Sequence, residues 1–269
     1  MRENIIKKKL LQGKSVLGIW QGINSMDLVE MSGYSGYDFI VLDTEHGPMS
    51  AESCIPLICA AERTNIVPII RVSEIQKTYI LKALDIGAMG IIFPMVNTLE
   101  DAKKAVNLSK YILSEDGKRE QSRGMLTSSR AAGYGITIDP KTHIETSNKE
   151  IMVIVQFEDK KAIDNLDEIL KLEEIDVVLI GPADLSQSFG FPGEPNKPII
   201  QDTIKKAIKK IVDSGKIAGC IAASTDEMKY YAELGVKFFA CSQARFITKA
   251  LKGFVEDFNK VFREGSSNN

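Results

Sequence analysis

The sequence predicts an α/β protein, a single (β/α)8 TIM barrel over residues 1–269. Three observations carry this. Eight short apolar runs recur along the chain, each followed by a helical pattern. Most of the runs are continuous rather than alternating, as expected of parallel strands covered on both faces. Nothing after the first run resembles the GxGxxG turn of a dinucleotide-binding sheet, so a doubly wound open sheet is the weaker topology.

Taken in order, the runs are SVLGIWQ (15–21), DFIVLD (38–43), VPIIRV (67–72), GIIFPMV (90–96), IMVIVQF (151–157), DVVLIG (176–181), IAGCIAA (217–223) and KFFACS (237–242). The opening IIKKKLL reads as a solvated helix face. Ser73-Glu74-Ile75-Gln76 has capping-box spacing and opens a helix that reaches Gly87; Ser224-Thr225-Asp226-Glu227 repeats the signal before a helix ending near Gly235. A further helix fits 98–112. Ile163, Leu166, Ile169 and Leu170 form one apolar stripe, and Ile204, Ile208, Ile211 and Val212 another. The polar segment 113–139, rich in Gly, Ser and Arg, is long enough to be functional, with Arg123 and Arg130 as a lid or phosphate contact, or a plain surface excursion. FITKALKGFVEDFNKVF is an amphipathic helix with Phe254, Phe258, Val261 and Phe262 on one side, and the tail 264–269 is expected to be disordered.

Composition narrows the function. A net charge of −2 supplies no basic field for nucleic acid. Four cysteines without CxxC spacing, no signal-peptide pattern and no long apolar run point to a reduced, cytoplasmic protein with no membrane partner.

In such a barrel the reactive groups stand at the C-terminal ends of the strands. Here those ends carry Trp20-Gln21, Asp43-Thr44-Glu45-His46, Arg71, Gln156-Phe157-Glu158-Asp159 and Gly181-Pro182-Ala183-Asp184. Glu158 and Asp184 end adjacent strands, and two neighbouring carboxylates repel unless a cation lies between them. A divalent ion completed by water and substrate oxygens suits Mg²⁺ or Mn²⁺. The alternative is a helix cap for Asp184 and a solvated rim for Glu158. Arg71 can bind a carboxylate or developing oxyanion, or pair structurally with Glu45. Asp43 lies three residues before His46 and could fix its tautomer, leaving the other ring nitrogen as a base; the alternative is a capping or packed histidine. His143, in DPKTHIETS, reads as a surface residue. No lysine ends a strand where a Schiff base would need it.

The segments LDTEHGP (42–48), IIRV (69–72), LDIGAMGIIFPMV (84–96), VIVQFED (153–159) and IGPADLS (180–186), in that order, resemble the HpcH/HpaI aldolases. These are metal-dependent class II pyruvate aldolases that include 2-keto-3-deoxy-sugar-acid and 2,4-dihydroxyhept-2-enedioate aldolases. The resemblance runs from about residue 10 to 260. It implies a divalent cation (Mg²⁺, Mn²⁺ or Co²⁺) held by Glu158 and Asp184. It implies pyruvate bound beside Gln156, Pro182, Ala183, Trp20 and Arg71, with Arg71 stabilising the enolate and Asp43 and His46 handling the hydroxyl proton. The expected reaction is reversible cleavage of a 4-hydroxy-2-oxo acid to pyruvate and an aldehyde. A homohexamer is also implied, with the last helix packed on a neighbouring subunit. QSRGML keeps Arg123 and Gly124 of a family segment in a different context. The competing functions are a citrate- or malyl-CoA lyase of the same superfamily, for which no basic cluster for CoA phosphates is present, and a non-catalytic barrel that binds a keto acid.

Overall fold

The computed structural model describes residues 2–113 and 121–263. Each predicted run becomes a strand: β1 (Val16–Gln21), β2 (Phe39–Asp43), β3 (Val67–Arg71), β4 (Gly90–Phe93), β5 (Met152–Phe157), β6 (Val177–Ile180), β7 (Ile217–Ile221) and β8 (Phe238–Ser242). They pair in sequence order, all parallel, and β8 returns to β1 to close the barrel. Around it run α1 (Ile5–Leu11), α2 (Met26–Tyr34), α3 (Ala51–Arg63), α4 (Lys77–Asp85), α5 (Leu99–Ser109), α6 (Pro140–Glu150), α7 (Leu166–Ile169), α8 (Pro182–Ser188), α9 (Pro198–Asp213), α10 (Thr225–Glu233) and α11 (Gln243–Phe262).

Strand side chains alternate, so one residue in two faces the barrel axis. The interior cluster holds Val16 and Trp20 of β1, Phe39 and Val41 of β2, Val67 and Ile69 of β3, Met152 and Ile154 of β5, and Phe238 and Ala240 of β8. Continuing that parity to the strand ends turns Asp43, Arg71, Gln156 and Ser242 inward. The other parity faces the helices in a larger cluster that includes Ile40, Leu42, Ile70, Val153 and Val155. Gly18 is required inside: a Cβ there would lie 2.0 Å from the Phe39 ring, which stacks on Phe238 at 4.3 Å.

Several expectations fail locally. α1 is not a solvated face. Ile6 and Leu10 are buried in the interior cluster across the strand starts, where Asn4 Nδ2 donates to the carbonyls of Met89 and Glu150. Ser73 does not cap α4. Its hydroxyl donates to the Thr44 carbonyl, and α4 begins after Gln76 without a side-chain cap. Ser224 does cap α10, accepting from the Glu227 N–H at 3.2 Å. The 163–170 stripe resolves into a 3₁₀ turn at Lys160–Ala162 and the single-turn α7. His143 lies in α6, N-capped by Asp139, and is 2% exposed against Tyr111. The tail 264–269 and part of the 113–139 segment lie outside the described residues.

Candidate active site

The parallel register sets Asp43 of β2 beside Arg71 of β3, and both turn inward. Arg71 Nε and NH2 donate to the two Asp43 oxygens at 2.9 and 2.5 Å. Trp20 Nε1 donates to the same carboxylate at 3.1 Å, and the indole ring lies 4.7 Å beneath the guanidinium. Burial alone would raise the Asp43 pKa. The Arg71 hydrogen bonds and charge, with the Trp20 bond, outweigh it and hold the group below its ordinary value. Arg71 NH1 is 2.8 Å from Glu45 Oε2, a contact of charges without hydrogen-bond alignment. Burial raises the Glu45 pKa, and the charges of Arg71 and His46 only partly counter it. Both sequence readings of Arg71 therefore meet in one side chain: it is ion-paired, and it stands at the mouth.

Glu158 follows β5 and is 3% exposed. Its Oε1 accepts the Met95 N–H at 2.8 Å, and its Oε2 accepts Gln156 Nε2 at 2.6 Å. Met95 adopts φ 53°, a left-handed conformation costly for a side-chain-bearing residue, and this backbone delivers that N–H. Burial, then the negative charges of Asp184 and Glu45, push the Glu158 pKa up to about 7. Asp184 sits in the first turn of α8 with no capping hydrogen bond, because Gly181 holds the N-cap position. A Cβ on Gly181 would come within 2.8 Å of Glu158 Cβ and Oε2, so the absent side chain makes room for the carboxylate. Sequence reasoning named Gly181 only as part of a strand end and Met95 only within an apolar run, with no role for either. The Gly-Pro turn was a signal for the first; nothing local signals the second.

Among the described residues no group of three His, Cys, Asp or Glu side chains could hold a metal. The donor set still fits a hard dication. The Asp184 charge adds to burial in raising the Glu158 pKa and the Arg71 charge offsets this only in part, Gln156 Oε1 is buried without a partner, and Arg71 is paired with Asp43 and Glu45. Such an ion would complete its shell with water and substrate oxygens.

Arg71, Gln156, Pro182, Ala183 and Asp184 line one cavity of about 610 Å³ at the C-terminal ends of the strands. The remaining candidates are placed differently. Trp20 is 9% exposed, packs over the Arg71 guanidinium and donates to Asp43. His46 is exposed at the rim. Asp43 accepts its backbone N–H at 3.3 Å but does not reach its ring, because the carboxylate is occupied by Arg71 and Trp20. Among the described residues of the 113–139 segment, Arg123 and Arg130 are paired with helix residues rather than placed on the cavity wall. Arg123 pairs with Asp85, the last residue of α4, and stacks on Tyr111. Arg130 pairs with Glu62 near the end of α3 and donates to the Ile86 carbonyl. Helix C-termini lie at the strand starts, away from the mouth.

A closed parallel barrel with two carboxylates, an arginine and a histidine at its strand ends has the architecture of the (β/α)8 enzymes. The chain belongs to the HpcH/HpaI aldolase/citrate lyase family, whose sequence profile matches residues 16–243. A hydroxypyruvate/pyruvate aldolase of Roseobacter denitrificans is 37% identical over 88% of this chain and 90% of its own length. A 2-keto-3-deoxy-L-rhamnonate aldolase of Escherichia coli K12 is 35% identical over 88% of this chain and 86% of its own. The crystal structure of a family member from Burkholderia cenocepacia J2315 superposes with a TM-score of 0.89 at 25% identity, covering 95% of this chain and 99% of that one. The chain is accordingly a carbon–carbon lyase of the aldolase type. Among the described residues no helix is long and apolar enough to cross a membrane.

Proposed function

We propose that this aldolase reversibly cleaves a 4-hydroxy-2-oxo acid, of the 2-keto-3-deoxy-sugar-acid or 2,4-dihydroxyhept-2-enedioate type, to pyruvate and an aldehyde. The observation that carries the reading is the carboxylates Glu158 and Asp184 gathered near Arg71, whose guanidinium is held by Asp43, Glu45 and Trp20 and only partly offsets the burial and negative charge that raise the Glu158 pKa. Glu158 and Asp184 would hold a Mg²⁺, Mn²⁺ or Co²⁺ ion, which would supply Lewis-acid stabilisation where negative charge develops. Gln156 and the backbone at Pro182 and Ala183 bound the pocket for the keto acid. Asp43 and Trp20 hold Arg71 in one orientation, so its donors are aimed before the enolate forms and need no reorganisation. His46, exposed at the rim, takes the C4 hydroxyl proton directly or through one water as the C3–C4 bond breaks. Asp43 bonds the His46 backbone rather than its ring and so fixes the turn that carries the base.

A lactate-dehydrogenase-coupled assay for pyruvate, run over a panel of 4-hydroxy-2-oxo acids, tests this. Turnover should stop in EDTA and return with Mn²⁺, Mg²⁺ or Co²⁺. Chelation-resistant activity trapped by borohydride would place the chemistry on a lysine instead. Release of a CoA thioester from an acyl-CoA would move it to the citrate-lyase branch. Binding of pyruvate without cleavage of any panel member would leave a keto-acid-binding barrel.

A further inference from the structure

The cavity is much larger than pyruvate and carries charged groups at both ends. In an eight-stranded closed barrel β3 and β7 lie opposite each other, so the cavity spans the mouth from Arg71 across Asp184 to residues after β7 and β8. Its far wall carries Ser224, Glu227, Ser242 and Arg245. Of the charges there, Glu227 is partly engaged, since its Oε2 accepts the Ala223 N–H at 2.6 Å. Arg245 is not engaged at all. Among the described residues its guanidinium has no hydrogen bond, ion pair or ring contact, and it is the only arginine of which this is true. Arg2 donates to the Ile66 carbonyl; Arg63, Arg71, Arg123 and Arg130 have carboxylate partners; Arg263 lies over Phe258. Arg71, the other cation of the wall, is already spanned by two carboxylates.

We propose that Arg245 determines acceptor specificity by binding an anionic group, carboxylate or phosphate, at the far end of the aldehyde half of the substrate. A guanidinium presents a planar fork that matches either anion bidentately, whereas a polyol end offers it only uncharged hydrogen-bond acceptors. The volume of about 610 Å³ accommodates pyruvate at the Arg71 and Asp184 end together with a chain of several carbons reaching the β8 side. This rests on the pyruvate aldolase reading above and sharpens it by selecting among acceptors. Arg245 itself touches no reacting atom.

The test runs the intact enzyme with Mn²⁺ in the condensing direction. Pyruvate is offered matched acceptors: 4-oxobutanoate against butanal for the carboxylate, glyceraldehyde 3-phosphate against glyceraldehyde for the phosphate. The intact enzyme should favour the charged member of one pair in kcat/KM, and that pair identifies the anion. Arg245→Ala should lower the charged-to-neutral ratio about 10- to 100-fold, the range of a charge-assisted bidentate contact. Arg245→Lys should fall between, keeping charge without the fork. Arg245 is exposed, so both variants should fold, and thermal melts check this. A ratio unmoved by Arg245→Ala in both pairs, or a preference of the intact enzyme for both neutral acceptors, overturns the assignment. Exchange of the pyruvate methyl protons into D₂O, followed by NMR without any aldehyde, separates the two levels. Exchange with an unmoved ratio sinks the Arg245 assignment alone. No exchange and no adduct in the intact enzyme sink the pyruvate reading and the assignment with it.

Discussion

With Nε and NH2 on Asp43, NH1 beside Glu45 and its plane over Trp20, the Arg71 guanidinium has little freedom left to lose when a substrate arrives. That preorganisation sets the expected size of its contribution. Arg71→Lys keeps a charge but not the fork, and should lower kcat on the order of 10²-fold, with a larger loss for Arg71→Ala. Steady-state pyruvate release measures both, and an unchanged kcat in either removes the role. Arg71→Ala should also lower the melting temperature, because Asp43 would be left as a buried, unpaired carboxylate. Glu158 gives a pH prediction with a definite sign. Its folded pKa of about 7 lies above the ordinary 4.5, so between these values the metal-free folded chain keeps a proton that the unfolded chain has lost. Stability from this group is therefore full below about pH 4.5 and declines as pH rises through about 7, by about 3 kcal/mol at most. Melting in EDTA across that range should show the decline, and added Mn²⁺ should reduce it at pH 7.5. At this scale the ion pairs were partly legible: an arginine and an aspartate ending consecutive apolar runs invite pairing. His143 was not, because Tyr111, the ring it packs against, is remote in sequence and the polar stretch DPKTHIETS around it looks like surface. Arg245 was hidden for the opposite reason, in a polar helix start whose neighbours give no sign of a cavity.

The strands were the legible elements, since residues buried on both faces leave a continuous apolar signal that no loop imitates. Helix starts were less so. Ser73 satisfied the capping pattern, yet its hydroxyl found the Thr44 carbonyl across the sheet end, a partner that exists only after folding. α1 shows the same limit: Ile6 and Leu10 have helical spacing, but three lysines between them advertise solvent, and the surface they bury against comes from strands throughout the chain. Ile6→Ala should cost about 2–5 kcal/mol, read as a loss in chemical-denaturation stability. At the β6–α8 junction the informative position is Gly181. Gly181→Ala places a methyl 2.8 Å from Glu158, which must turn or retreat. The expected result is weaker Mn²⁺ binding by calorimetry and kcat/KM lowered by tenfold or more, since displacements of this order at a site cost up to about 10²-fold. Full metal affinity in that variant would show that Glu158 can shift without consequence and is not a ligand.

At the scale of the whole molecule, α11 presents Phe254, Val255, Phe258, Val261 and Phe262 at 45–78% exposure. We propose that a second copy of the chain covers this apolar face, as the hexamer implied by the family resemblance would require. Phe254→Glu with Phe258→Glu should convert the assembly to smaller species by light scattering, whereas the same profile before and after substitution would place the contact elsewhere. The opposite pole of the barrel has its own consequence. Because Ile6 and Leu10 stopper the strand starts, traffic is confined to a single doorway. Whichever product sits innermost must wait for its companion to depart. In the proposed reading Arg71 and the ion at Asp184 would hold the keto acid while the aldehyde lies toward the far wall, so the expected departure is ordered, aldehyde first. Pyruvate should then compete with the hydroxy-oxo acid for free enzyme, while the aldehyde inhibits in a mixed pattern.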